Sequence, residues 1–185
     1  IALAIFIIGF IVILFTKIQE PEQAPVDTSL IKGAMKYRHF VLGILAIFLY
    51  MGIEVGTPTY ILQYLSSAPD ATTPGLGMDA GIVGLIVAVY WLMMLVGRFV
   101  GGTIAGKISS RKMITTVSIA SIILVSFGMF APTDITVSVP GIDWAKLELI
   151  WAEVPIGIFA FLLVGLCTSV MWGGIFNMAV EGLGK

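Results

Sequence analysis

The sequence predicts an all-α protein, a polytopic bundle of helices that cross a membrane. Hydrophobic residues occupy 58% of the 185 positions and charged residues only 11%, so the apolar content exceeds what one water-soluble core could bury. The charges also gather in short intervals between long uncharged stretches, as expected when a charged side chain in hydrocarbon is costly. The uncharged stretches therefore mark the membrane-embedded segments.

Five uncharged or nearly uncharged runs follow one another along the chain. A helix needs about 20 residues to cross the hydrocarbon layer, so four runs are long enough to span it alone and the first is short. We expect this first run to be the end of a longer transmembrane helix whose beginning is missing. The runs are Ile1 to Phe15, Phe40 to Ser67, Ala80 to Gly97 with an extension to Gly106, Met113 to Thr133, and Val154 to Val180.

The charged intervals predict the orientation of the helices. Residues 16–39 carry Lys17, Lys32, Lys36 and Arg38, and residues 107–112 carry Lys107, Arg111 and Lys112. The positive-inside rule, which counts Lys and Arg, predicts that both intervals lie in the cytoplasm. Acidic residues dominate residues 66–79 and 134–153, which we expect outside, the latter with a short amphipathic segment around Trp144 to Trp151. We divide the chain into the end of a transmembrane helix at 1–15, a cytoplasmic connector at 16–39, and a part with four transmembrane helices at 40–185.

Glu54 is the one acidic residue inside a long run, and it lies at the middle of that run. An ionised carboxylate there must face protein or water, so we expect Glu54 to bind substrate, to exchange a proton, or to bond a neighbouring helix. Tyr50, Thr57 and Tyr64 share its side of the helix at 100° per residue. Pro58 removes the hydrogen bond to the Glu54 carbonyl, which predicts a broken helix of the kind found in membrane carriers.

The last run combines polar residues, glycines and a tryptophan in its second half. Trp172 could cover the apolar face of a sugar ring, or it could serve packing or anchor the helix at the interface. Earlier in the chain, Gly97 and Gly101, and then Gly102 and Gly106, have the spacing that allows helices to touch closely in lipid.

Other function classes lack support in the sequence. The net charge of −1 gives no reason to expect nucleic acid as a partner. His39 is the sole histidine and has no ligand partners at metal-binding spacing, so we expect no metal and no other cofactor. Cys167 has no second cysteine to pair with. No clustered catalytic groups occur, so we do not expect an enzyme.

Three stretches resemble one family of membrane carriers. Gly97–Phe99 (GRF), Gly102–Lys107 (GTIAGK) and the following Arg111-Lys112 resemble the cytoplasmic signature loop of the major facilitator superfamily, although Gly106 stands where an acidic residue is usual. Two more stretches resemble its fucose:proton symporter family, including the glucose/galactose permeases, although many members have Pro-Thr in place of the two glycines after Trp172. These stretches are Tyr50–Gly56 (YMGIEVG) and Trp172–Gly184 (WGGIFNMAVEGLG).

The resemblance implies that the chain is part of a twelve-helix carrier that moves a hexose-type sugar across a bacterial inner membrane by alternating access, with the proton as coupling ion. Its partners would be a small-molecule sugar, the lipid bilayer, and the missing helices of the same parent chain. We expect the sugar pathway to be lined by Tyr50, Glu54, Thr57, Gln63, Trp172 and Asn177. We expect the cytoplasmic helix ends to be tethered by Arg98, Lys107, Arg111 and Lys112.

Two alternatives stay open on the sequence alone. A drug or metabolite exporter of the same superfamily would bind an amphipathic compound instead of a hexose. A membrane assembly or sensor subunit that transports nothing would pack Glu54 against a dry helix, so no water-filled cavity would reach it.

Overall fold

The computed structural model describes residues 2–16, 28–143, 146 and 148–183. Residues 17–27 of the expected connector, including Lys17, lie outside these residues, as does Trp144. The chain divides into two compact units, Ile1–Gly33 and Ala34–Lys185. The helices are α1 (Ala2–Phe15), α2 (Thr28–Ala34), α3 (Arg38–Ser66), α4 (Ala80–Ala105), α5 (Ser110–Phe130), α6 (Ile156–Thr168) and α7 (Met171–Val180).

Among the described residues, four helical segments are long and apolar enough to cross a membrane. They are α3, α4, α5 and the segment Ile156–Val180, which comprises α6 and α7. These are the second to fifth runs of the sequence, so the prediction of a polytopic helical membrane bundle is confirmed. Helix α1, in the first unit, is apolar throughout but only 14 residues long.

Helix α3 passes through Pro58 as one continuous helix, so the expected break at this proline is wrong. The three carbonyls around the missing hydrogen bond all accept a side-chain donor. The hydroxyl of Thr57 donates to the carbonyl of Ile53 at 2.8 Å, and the hydroxyl of Thr59 donates to that of Val55 at 2.8 Å. The carbonyl of Glu54 accepts a hydrogen bond from the hydroxyl of Tyr90 on α4. These bonds hold the backbone in helical form where proline removes an N–H donor.

The break in the bundle lies instead between α6 and α7, at Ser169 and Val170. The hydroxyl of Thr168 donates to the carbonyl of Gly165 at 3.1 Å, and the hydroxyl of Ser169 donates to the carbonyl of Leu166 at 2.6 Å. Such local side-chain bonds compete with the backbone ladder and bend helices. Two consecutive hydroxyl residues therefore account for the turn that separates α6 from α7.

Helix α6 lies at the centre of the second unit and packs against both α4 and α5, while α7 packs against α3 and α5. Gly97 and Gly101 allow the close approach of α4, because a Cβ atom at either position would overlap Ser169 or Val170. At Gly102 and Gly106, such a Cβ would meet no atom of the described residues within 4 Å. Only the first of the two small-residue pairs is thus a helix contact.

The interval between α5 and α6 forms a β-hairpin that the sequence analysis did not predict. Strands β1 (Thr136–Asp143) and β2 (Glu148–Pro155) pair antiparallel from Thr136 opposite Pro155 to Asp143 opposite Glu148. The hairpin packs against α4, where Gly141 contacts Ile82. Trp151 lies exposed on β2. The helical bundle therefore carries a small β element at the end where α4 begins.

Candidate functional site

A cavity of about 530 Å³ opens beside the middle of α3. Its volume falls within the range of about 300–1,000 Å³ that small-molecule sites occupy. Three parts of the fold meet there: one face of α3, the second half of α4, and the turn between α6 and α7. The lining residues are Tyr50, Met51, Glu54, Arg98, Ser169, Trp172 and Gly173.

Glu54 and Arg98 form an ion pair across this cavity. A guanidinium nitrogen of Arg98 lies 3.3 Å from a carboxylate oxygen of Glu54 and donates a hydrogen bond to it. The Glu54 side chain is 12% exposed and that of Arg98 is 56% exposed. A carboxylate at this depth needs a partner, and a nearby cation is the kind of partner that intramembrane acids usually have. The carboxylate keeps further lone pairs that can accept a hydrogen bond from a ligand hydroxyl.

The backbone at Glu54 is held by Tyr90 of α4. Because Pro58 has no N–H, the Glu54 carbonyl has no helical donor, and the hydroxyl of Tyr90 donates to it at 3.1 Å. The ring of Tyr90 is fully buried, so this bond lies away from solvent. Tyr90 therefore fixes α4 to α3 at the level of the cavity.

Tyr50 presents a buried hydroxyl that has no hydrogen-bond partner among the described residues. The residue is only 3% exposed, yet it lines the cavity one helical turn from Glu54. A buried polar atom without a partner is unusual and costs free energy. The Tyr50 hydroxyl is thus an available donor and acceptor at the edge of the cavity.

Trp172 and Gly173 come from the first turn of α7, directly after the helix break. The indole ring of Trp172 stacks in parallel on Phe176, with ring centroids 5.5 Å apart and planes inclined by 4°. Trp172 remains half exposed because one face is covered in this way and Gly173 adds no side chain beside it. Trp172 thus lines the same cavity as the Glu54–Arg98 pair.

The structure brings Tyr50, Glu54 and Trp172 together, but three other residues expected on the pathway do not line the cavity. The hydroxyl of Thr57 donates its hydrogen bond to the Ile53 carbonyl of its own helix. The side-chain amide of Gln63 donates to the hydroxyl of Thr73 at 3.3 Å, in the loop after α3. Asn177 lies exposed on α7. Their part in substrate binding stays a prediction.

The four basic residues expected at the cytoplasmic ends fall into two groups. Arg98 does not lie at the helix end, since it faces the cavity from within α4 and pairs with Glu54. Lys107 lies in the turn after α4, and Arg111 and Lys112 lie in the first turn of α5. These three are exposed, and their tethering role stays a prediction.

Sequence reasoning missed the contributions of Arg98, Tyr90 and Ser169 to this site. One signal was available for Tyr90, because a proline four residues after Glu54 predicts a carbonyl that needs a donor from elsewhere. Consecutive hydroxyls at Thr168 and Ser169 were a weaker signal for the helix break. The pairing of Arg98 had no local signal, since it depends on how α3 and α4 cross.

The chain is similar to curated transporters from two bacteria. It is 32% identical to a "Glucose/galactose transporter" of Brucella abortus biovar 1 (strain 9-941), over 100% of this chain and 38% of that protein. It is 28% identical to a "Putative glucose/galactose transporter" of Helicobacter pylori (strain J99), over 88% of this chain and 33% of the relative. A second Helicobacter pylori protein of the same name, from strain 26695, is 26% identical over 98% of this chain and 38% of its own length.

The chain therefore spans less than two fifths of the length of the curated relatives it matches. No protein-family model matches the sequence. No solved structure matches it either.

Proposed function

We propose that this chain forms part of a carrier that moves a hexose-type sugar across a membrane. The proposal rests on the cavity lined by the Glu54–Arg98 pair, the half-exposed ring of Trp172 and Tyr50, whose hydroxyl has no partner in the described part of the chain. A sugar offers hydroxyls for charged and polar partners and an apolar ring face for an indole. The relatives named as glucose/galactose transporters support the same substrate class.

In this proposal Glu54 accepts hydrogen bonds from sugar hydroxyls while Arg98 balances its charge. Tyr50 bonds another hydroxyl, and the free part of Trp172 covers the ring. Each bond is modest, which suits a carrier that must release its cargo on the other side. No covalent chemistry and no resident cofactor are required, in keeping with relatives that are named as transporters.

We further propose the fold and mechanism that the motifs imply. The chain would be part of a twelve-helix major facilitator carrier of the fucose:proton symporter family, working by alternating access in a bacterial inner membrane with the proton as coupling ion. Residues 1–15 would end one transmembrane helix, residues 16–39 would form a cytoplasmic connector, and residues 40–185 would begin the carboxy-terminal half. The break between α6 and α7 supports a carrier, because discontinuous helices surround substrate sites in such proteins.

The experiment is uptake of radiolabelled hexoses by the full-length protein in vesicles with an imposed proton gradient. We expect saturable uptake by the wild type, and we expect Glu54→Gln and Trp172→Ala each to reduce it by about tenfold or more, since each removes a main contact to the substrate. Matched controls are Glu148→Gln and Trp151→Ala, which change the same residue types on the exposed hairpin.

The outcomes separate the parts of the proposal. No hexose uptake by the wild type would overturn the sugar assignment. Normal uptake by both cavity variants would show that the sugar does not pass through this cavity. Uptake could persist after the proton gradient is collapsed and follow a sodium gradient instead. That result would identify sodium as the coupling ion and leave the substrate class unchanged.

A further inference from the structure

A second cavity, of about 210 Å³, lies apart from the Glu54 site and is almost wholly apolar. Helices α4 and α5 both pack on α6, and this cavity is the wedge between them. Val100 and Ile104 form its wall on α4, Ile108 lies in the turn at its end, and Met113 and Val117 form its wall on α5. We call it the α4–α5 wedge.

The α4–α5 wedge opens toward apolar surroundings. Val100, Ile104 and Ile108 are large apolar residues that remain exposed in the folded chain. In a bilayer such a wedge can accept an acyl chain, but lipid tails are as apolar as these side chains, so the apolar contact alone gives little preference for one lipid over another. Any selectivity must come from polar groups at the rim.

Three basic residues form that rim. Lys107 directly precedes Ile108 and Lys112 directly precedes Met113, so these two adjoin residues that line the wedge, and Arg111 lies one residue before Lys112. All three are exposed. No ion pair joins them to a carboxylate within the described part of the chain, and the sequence from residue 80 to residue 133 contains no acidic residue. The rim is therefore a positive patch at one end of an apolar wedge.

We propose that the α4–α5 wedge and its basic rim bind an anionic phospholipid, with an acyl chain between the helices and the phosphate-bearing headgroup on Lys107, Arg111 and Lys112. Basic pockets between transmembrane helices are suited to anionic headgroups, and each Lys or Arg near the membrane surface adds about fivefold in affinity. The proposal is independent of the sugar site, because it shares no charged residue with the Glu54 cavity.

The charge of the rim distinguishes a lipid from a second copy of this chain. Six acidic residues lie at residues 66–79 and 134–153, on the side where α4 begins, whereas the rim lies just beyond the end of α4 at Ala105. The rim side also carries Glu181 after α7, so a second copy inserted in the same orientation would bring one described carboxylate and the three basic groups of its own rim to this depth. An anionic headgroup is the complementary partner at this depth.

The experiment uses the purified full-length protein and two photoreactive lipids, phosphatidylglycerol and phosphatidylcholine, each with a diazirine on one acyl chain. Crosslinked residues are mapped by mass spectrometry, and affinity is measured by competition with unlabelled lipid. The test variant is Lys107→Gln/Arg111→Gln/Lys112→Gln. Its matched control, Lys32→Gln/Lys36→Gln/Arg38→Gln, removes three positive charges from another basic segment. A further variant, Val100→Phe, fills the wedge and leaves every charge in place.

We expect phosphatidylglycerol to label the wall residues Ile104, Met113 and Val117 in preference to phosphatidylcholine. The triple rim variant should lose roughly a hundredfold in affinity for phosphatidylglycerol, while the control triple keeps it. Val100→Phe should shift the labelled positions out of the wedge. Equal labelling by both lipids, unchanged affinity in the rim variant, or absence of lipid label from Ile104, Met113 and Val117 would each overturn the proposal.

Discussion

The hydroxyl of Tyr90 donates a hydrogen bond of 3.1 Å to the backbone carbonyl of Glu54. That carbonyl needs a donor from another helix because Pro58, four residues later, has no N–H to offer it. The bond therefore joins α3 and α4 beside the carboxylate that lines the candidate site. It also explains how α3 remains one helix through its proline.

The first prediction concerns this bond. Tyr90→Phe should lower the free energy of unfolding by about 1 kcal/mol, because a buried carbonyl loses its donor. Pro58→Ala supplies a helical N–H, so its stabilising effect should be larger in the Tyr90→Phe background than in the wild type. The measurement is a double-mutant cycle by denaturant unfolding of the full-length protein.

The control for this cycle is Tyr60→Phe, which removes a hydroxyl from an exposed tyrosine of α3 and should leave stability unchanged. Equal effects of Pro58→Ala in the two backgrounds would show that Tyr90 and Pro58 are not coupled through the Glu54 carbonyl.

The second prediction concerns the Glu54–Arg98 pair. A single contact of 3.3 Å to a half-exposed arginine should contribute about 1 kcal/mol of coupling, well below that of a fully buried pair. We expect Glu54→Gln and Arg98→Gln to be less than additive in a double-mutant cycle on thermal stability. The control is Arg111→Gln on α5, whose effect on thermal stability should add to that of Glu54→Gln. Additivity for both arginines would mean that the ion pair contributes nothing to stability.

The third prediction separates stability from binding at Tyr50. Its hydroxyl has no partner among the described residues, so Tyr50→Phe should leave stability unchanged or raise it by up to about 1 kcal/mol. The same change should weaken hexose binding by about fivefold, because one bond to the substrate is lost. Thermal unfolding and calorimetric titration with hexose test the two effects. A clear loss of stability would instead show that the hydroxyl has a structural hydrogen-bond partner.

The fourth prediction concerns the crossing of α4 and α6. A Cβ atom at Gly97 would lie 2.7 Å from the carbonyl oxygen of Leu166, whereas one at Gly102 would meet no atom within 4 Å. Gly97→Ala should therefore cost about 1–3 kcal/mol of stability through overpacking, and Gly102→Ala should change it by less than about 0.5 kcal/mol. Unfolding of the two variants side by side is the measurement. Similar costs at the two sites would contradict the observed helix contact.

Sequence patterns were reliable where the responsible force acts on each segment separately. The cost of placing charge in hydrocarbon is felt residue by residue, so the uncharged runs predicted α3, α4 and α5 well. The hairpin Thr136–Pro155 was missed because its alternation of polar and apolar residues is short and interrupted by Pro140 and Gly141. Short strands of this kind depend on their pairing partner.

The site was predicted in part. Tyr50, Glu54 and Trp172 carry local signals, namely polar or aromatic groups within apolar helices, and all three line the cavity. Gln63 carries a similar signal, but it lies at the end of α3 and bonds Thr73 instead. The sequence shows which residues share a face of one helix. It does not show at which position along that helix a neighbouring helix packs against it.

Hydropathy and charge spacing alone are enough to identify the membrane segments, because desolvation does not depend on how the helices are arranged. The pairing of Arg98 with Glu54 required the packed structure. Counted from the helix ends on one side of the bundle, Glu54 lies 16 residues along α3 and Arg98 lies 7 residues from the end of α4, or about 24 Å and about 10 Å at 1.5 Å per residue. The packing of α4 against α3 and the long arginine side chain bring the two charges together, and this packing depends on contacts between helices that no single segment contains.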